Sequence, residues 1–168
     1  SNSNFGLQRL AAMVGFVRKY DIARPVTMAC DQESNAHWRH FDYYDVHAWN
    51  YGQRWETARK LDPSKSVIIS ESASTVSTRG FYELPLPEKP TDFSQSNQVS
   101  SYDLHAPSWA EVCDDDFMWQ ENDKYIAGEF VWTGFDYLGE PTPYYSSRSS
   151  YFGIVDLCGI PKDRYYLY

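Results

Sequence analysis

Cations are scarce in this 168-residue chain: 15 Lys and Arg stand against 23 Asp and Glu, a formal charge of −8. Nucleic-acid binding needs clustered cations facing phosphates, so no nucleic-acid partner is expected. No apolar run approaches the roughly 18 residues of a membrane-spanning helix, and no membrane partner is expected either. The first residues also lack the basic-then-apolar layout of a secretion leader. The three cysteines, Cys30, Cys113 and Cys158, form no CxxC or Cys/His cluster, which argues against a disulfide framework or a structural zinc site. Cys30 follows an apolar run and Cys158 ends one, so both read as buried thiols acting as small hydrophobes. There is no glycine-rich phosphate loop, no GxSxG elbow and no HExxH, and the nucleotide, serine-hydrolase and zinc-peptidase classes lose their main signals.

What the chain has in excess is aromatic side chains: 14 Tyr, 9 Phe and 6 Trp, 17% of all residues. Aromatic rings can floor a carbohydrate site, because the C–H face of a sugar packs on a ring while Tyr and Trp add polar handles. A large core joined to an oligomer interface would need the same residues. Composition alone leaves both open.

Residues 5–19 place Leu7, Leu10, Val14 and Val17 on one helical face, with Ser3 or Asn4 as N-cap and Arg18 and Lys19 suited to the C-terminal dipole. A short strand is expected at 25–30, then a polar stretch with Trp38 and His40, and a second strand over 44–51. A helix at 53–61 stops at Asp62-Pro63. Residues 66–71 are apolar without alternation, as in a parallel strand covered on both faces, and they end on a carboxylate. The segment 73–107 is polar and holds four prolines, a length that marks a functional or disordered excursion. Ser108 to Glu111 has capping-box spacing and opens a helical region in which Asp114 to Asp116 reads as a solvated turn. A fourth strand follows at 125–132, an extended piece at 151–157, and a last helix from Pro161. This alternation predicts an α/β fold of parallel strands in one domain over 1–168.

In such folds the chemistry gathers at the C-terminal strand ends. Those ends carry Asp31, Asn50-Tyr51, Ser70-Glu71, and Trp132 with Asp136 just beyond. Acids, a tyrosine and a tryptophan on one rim suit work on a neutral polyol. From the residues alone Glu71 could also be a structural ion-pair partner. His47 has the parity of Tyr51 but lies deeper, as a core histidine would, and Glu129 is out of phase with Trp132.

Ser66 to Ser74 (Ser-Val-Ile-Ile-Ser-Glu-Ser-Ala-Ser) resembles the nucleophile strand of glycoside hydrolase family 2. Residues 127–144, Ala-Gly-Glu-Phe-Val-Trp-Thr-Gly-Phe-Asp-Tyr-Leu-Gly-Glu-Pro-Thr-Pro-Tyr, resemble that family's last barrel strand and its loop. Residues 152–163, Phe-Gly-Ile-Val-Asp-Leu-Cys-Gly-Ile-Pro-Lys-Asp, resemble the passage into its final helix, in wording common among bacterial β-galactosidases.

The resemblance implies a retaining exo-glycosidase acting on terminal β-glycosides, most simply β-galactosides; β-glucuronidases and β-mannosidases share the barrel. Glu71 falls on the family's nucleophile, Tyr51 on the tyrosine that hydrogen-bonds it, and Trp132 on the tryptophan walling the sugar. Asp136 and Glu140 lie on the rim loop, where either could hold a sugar hydroxyl or fix the loop, and Asp31 could touch substrate. Retaining hydrolysis also needs a second carboxyl about 5–5.5 Å from the first. In this family that acid closes an Asn-Glu pair, and the sequence contains no Asn-Glu. A (β/α)8 barrel takes about 250 residues. The expectation is therefore the C-terminal half of a barrel, strands 5–8, inactive alone and completed by the remainder of a parent chain. A carbohydrate substrate and homo-oligomerisation at full length are expected, with no cofactor and no metal ligand among these residues. A non-catalytic carbohydrate-binding piece is the rival from another class.

Overall fold

The computed structural model describes residues 4–34 and 39–168. Ser3 and Trp38, named above as cap and polar-stretch residues, lie outside the described residues. The chain divides into two compact units, Ser1–Ser70 with Asp123–Glu129, and Glu71–Asn122 with Phe130–Tyr168.

The first unit contains a parallel four-stranded sheet in the order β1-β2-β3-β4, with β1 Ala29–Cys30, β2 His47–Asn50, β3 Val67–Ala73 and β4 Ile126–Trp132. Ala29 stands opposite Ala48 and Cys30 opposite Trp49. Spatial order follows chain order, as alternating helices and strands demand. The ends of β3 and β4 run on into the second unit. β1 and β2 are shorter than the sequence implies: Thr27 is held by its hydroxyl on the Val46 carbonyl (2.7 Å) rather than by a ladder, and the Asp45 side chain takes the Val26 N–H (2.7 Å).

The strand sealed on both faces is β2, where His47, Ala48 and Trp49 are fully buried. β3, the more apolar run, buries Val67 and Ile69 completely and leaves Ile68 and Ser70 partly accessible. His47 is a core histidine: Phe41 packs on it edge-on at 4.7 Å, and burial lowers its pKa. Helix α1, Asn4–Tyr20, buries Leu10 and Val14, but Val17, at the end of the expected apolar face, is exposed along with Phe5, Met13, Phe16 and Tyr20. Helix α2, Trp55–Leu61, is anchored by the buried Trp55, whose indole N–H donates to Asp123 (2.9 Å), and the Arg59 guanidinium lies 4.7 Å over the Tyr125 ring. Burying such a ring stabilises the fold by roughly 1.5–3 kcal/mol.

The second unit has little regular structure. Helix α3 spans Cys113–Asn122 and α4 spans Asp163–Leu167. The capping box expected at Ser108 does not form. The Glu111 N–H that Ser108 would have capped donates instead to the Ala73 carbonyl (3.0 Å), and the helix begins at Cys113. Asp114 to Asp116 is not a solvated turn. It forms the first turn of α3, where carboxylates suit the dipole, and Asp116 is fully buried with its Oδ2 accepting the Ala73 N–H (2.8 Å). Cys158 is exposed, contrary to expectation, because its turn is closed by Asp156 accepting the N–H groups of Cys158 and Ile160 (both 2.9 Å); Cys30 and Cys113 are buried.

The excursion after β3 is packed on its own side chains. Val76 and Val99 join Phe152 and Tyr144 in a core cluster, and the Tyr144 hydroxyl donates to the carbonyls of Ser94 (2.7 Å) and Gln98 (3.1 Å). Residues 151–155 run beside the continuation of β4: Thr133 N–H bonds Phe152 O (3.2 Å), Ile154 N–H bonds Thr133 O (2.9 Å) and Asp136 N–H bonds Val155 O (2.9 Å).

Candidate active site

Each strand of the sheet delivers polar side chains where it ends. In the first unit, Asn50 closes β2 and its Oδ1 accepts the Ser70 hydroxyl of β3 at 2.8 Å. Tyr51, the next residue, adopts φ 51°, and Gly52 follows at φ 65°. A tyrosine in the left-handed region is sterically costly and persists only where its surroundings hold it. Asp31, beyond β1, is exposed; its carboxylate accepts from Gln32 (3.3 Å) and its carbonyl from Arg54 (2.9 Å).

In the second unit, Glu71 is half-buried and directly precedes the buried Ser72 and Ala73. Ala73 and Ser74 turn the chain sharply, both with positive φ (61° and 55°), and the Asp116 carboxylate and the Glu111 N–H clamp Ala73 from either side. Trp132 is half-buried at the end of β4, and the Trp132–Thr133 peptide is cis. Its indole N–H donates to the Tyr137 hydroxyl (3.3 Å), with the two rings edge-to-face at 6.0 Å and 84°. Tyr137 in turn donates to Glu140. The phenol is pushed up to about 12, first by burial and then by the Glu140 bond, with the Glu71 charge adding to both.

Asp136, the rim aspartate, has the contacts of a loop-fixing group. Its carboxylate pairs with Lys162 (2.8 Å) and accepts the Gly153 N–H (2.7 Å). Lys162 is 1% exposed and donates also to the carbonyls of Ser77 (2.7 Å) and Tyr151 (3.1 Å). Burial raises the Asp136 pKa and lowers that of Lys162, and the attraction between the two opposes both shifts. Arg164, buried on α4, donates to the carbonyls of Thr75, Phe152 and Gly153. Two cations at the start of the short helix α4, Lys162 just before it and Arg164 within it, thus hold the segments that follow Glu71 and Trp132. The second unit therefore brings Glu71 and Trp132 to one tyrosine, Tyr137. Sequence reasoning missed that residue, and its only signal was a position one step beyond Asp136.

No protein-family model matches the chain. Over an alignment of 168 residues covering 93% of the chain, it is 41% identical to the β-galactosidase BoGH2A of Bacteroides ovatus. The chain is a glycoside hydrolase family 2 segment that resembles bacterial β-galactosidases. It spans 20% of the length of that family 2 relative. Among solved structures, a β-glycosidase from Bacteroides vulgatus superposes with a TM-score of 0.71 at 24% identity, covering 98% of this chain and 24% of that one. A β-D-glucuronidase from Dictyoglomus thermophilum gives 0.72 at 15% identity, over 99% and 28% respectively. At these identities the likeness is one of fold.

Proposed function

We propose that these residues form the later half of a family 2 (β/α)8 barrel and supply the nucleophile and part of the sugar wall of a retaining β-galactosidase. The observation that carries the reading is the 41% identity to a β-galactosidase across 93% of the chain. In this reading the Glu71 carboxylate attacks the anomeric carbon, and the aglycone leaves as its oxygen takes a proton from a second carboxyl on another part of the parent chain. A glycosyl ester forms on Glu71, and water, deprotonated by that same second group, then hydrolyses it. By the family resemblance, Tyr51 takes the part of the tyrosine that orients the nucleophile. Trp132 offers the pyranose a flat apolar face. Asp31 contacts substrate, whereas Asp136, with both oxygens committed, shapes the loop.

The remainder of the parent chain is thus an obligate partner of these 168 residues, and a β-galactoside is the substrate. The full-length protein carrying this chain, incubated with a 2-deoxy-2-fluoro-β-galactosyl fluoride, should gain one sugar on the peptide that contains Glu71, read by mass spectrometry. Saturable binding without an adduct would point to a carbohydrate-binding piece, and an adduct on a different residue would remove Glu71 from its role.

A further inference from the structure

Hydrogen-bond capacity around Tyr137 can be accounted for atom by atom. A phenol oxygen has one proton to give and two lone pairs. The proton goes to Glu140, and one lone pair receives the Trp132 indole N–H at 3.3 Å. What Tyr137 presents beyond these bonds is an acceptor, and the exposed Glu140 carboxylate is an acceptor by nature. The turn that carries them is built: Gly139 and Glu140 both have positive φ (93° and 45°), the Gly139 N–H donates to the Arg148 carbonyl (2.7 Å), and Leu138 bridges Ser149.

Three cations of the same unit are committed elsewhere. Lys162 is committed to Asp136 and two carbonyls, Arg164 to three carbonyls, and Arg79 to Asp156 at 2.8 Å.

We propose that Tyr137 and Glu140 form an acceptor-only wall beside Trp132 that reads the hydroxyl groups of a neutral sugar and rejects the same sugar oxidised to a 6-carboxylate. This inference rests on the glycosidase reading and deepens it by assigning sugar discrimination to two named residues. A neutral hexose brings hydroxyl donors to the wall, and each finds an acceptor. A uronate brings a further carboxylate, which faces two acceptors in Tyr137 and Glu140 and is repelled by the charges of Glu140 and Glu71. The phenol stays un-ionised far above neutral pH, since burial, the Glu140 bond and the Glu71 charge push it up to about 12, so Tyr137 holds its proton toward Glu140 throughout the working range. A site that leaves a buried or charged group unpaired with the wrong ligand discriminates more strongly than one that merely fits.

The test uses the full-length protein carrying this chain, with 4-nitrophenyl β-D-galactopyranoside and 4-nitrophenyl β-D-galactopyranosiduronic acid as paired substrates. D-galactose and D-galacturonic acid serve as paired inhibitors. Wild type should favour the neutral member of each pair. Glu140→Gln, which keeps the shape and drops the charge, should narrow that preference by about tenfold or more. Tyr137→Phe should lower kcat/KM on the galactoside by about tenfold, mostly through KM. Glu140→Asp should retain the preference in part. Preferences unchanged in Glu140→Gln and Tyr137→Phe, in proteins with wild-type circular dichroism, would overturn the inference while leaving the glycosidase reading intact. Wild-type turnover of neither substrate would overturn the glycosidase reading, and the inference with it.

Discussion

Lys162 Nζ sits 2.8 Å from Asp136 Oδ2 with the two side chains only 1% and 9% exposed, so an ammonium and a carboxylate neutralise each other out of reach of water. Removing one member of such a pair costs about 3–5 kcal/mol, because the survivor keeps its burial and loses its partner. Lys162→Met in the full-length protein should therefore lower the urea midpoint for loss of activity sharply. Lys162→Met with Asp136→Asn should recover part of the loss, since the Ser77 and Tyr151 carbonyls still lack their donor. A double variant no more stable than Lys162→Met alone would show that those carbonyls, rather than the ion pair, account for the cost.

Glu71 and Tyr51 have different roles in the proposed reaction, and their variants should differ accordingly. Glu71→Gln in the full-length protein should cut kcat by several orders of magnitude with a far smaller change in binding. Tyr51→Phe removes one hydrogen-bond donor to the carboxylate and should cost about 10²- to 10³-fold in kcat. Azide should partly restore Glu71→Gly and yield a glycosyl azide of inverted configuration. Near-normal kcat in Glu71→Gln would shift attention to Asp31, Asp136 and Glu140.

Asp45 couples α1 to the start of β1. Its carboxylate accepts the Val26 N–H and two bonds from Arg18 (2.8 and 2.9 Å), which together hold its pKa below the ordinary carboxylate value. A depressed folded pKa means that the unfolded chain takes up its proton first as pH falls. The contribution is thus complete above about pH 4 and disappears as the pH drops through the folded value. Asp45→Asn should melt below wild type at pH 7, and the difference should shrink on acidification to pH 3. A gap that stays constant over that range would mean that shape rather than charge sets the effect.

The architecture legible in the sequence was that of period and punctuation. The apolar runs ending at Ser70 and Trp132, the helix closed by Arg18 and Lys19, and the stop at Asp62-Pro63 all carry local signals, and each element lies within a few residues of its expected place. What the sequence hid was set by distant backbone. The Glu111 N–H has Ser108 beside it in the chain but is taken by Ala73, and Asp116 is drawn inside by the same residue. Lys162 and Arg164 are interior only because carbonyls up to 89 positions away in the chain take their donors. Among the proposed site residues, Glu71, Tyr51 and Trp132 were named from strand ends and motif wording, both local in the sequence. Tyr137 required a loop to fold back.

Phe5, Phe16 and Tyr20 on α1, Phe130 on β4, and Phe135 and Leu138 beyond it are all exposed. Apolar surface of this extent promotes association. The isolated 168-residue chain should self-associate in sedimentation velocity, and Phe16→Glu with Phe130→Glu should reduce that association. A well-behaved monomer of 19.5 kDa would show that these side chains are tolerated in water.

Gly153 has a consequence for changing the proposed sugar specificity. A Cβ there would lie 2.0 Å from the Asp136 backbone nitrogen and 2.5 Å from the Val155 carbonyl, a collision with main chain that no rotamer relieves. Gly80 and Gly139, by contrast, have open space where a side chain would project, though their positive φ still favours glycine. A library aimed at new sugars should therefore randomise Tyr137, Leu138, Glu140 and the surface turn after them while holding position 153 invariant. Variants recovered from such a library will trace the contour of the rim; were position 153 opened as well, its substitutions would be lost because main chain already fills the space a side chain needs.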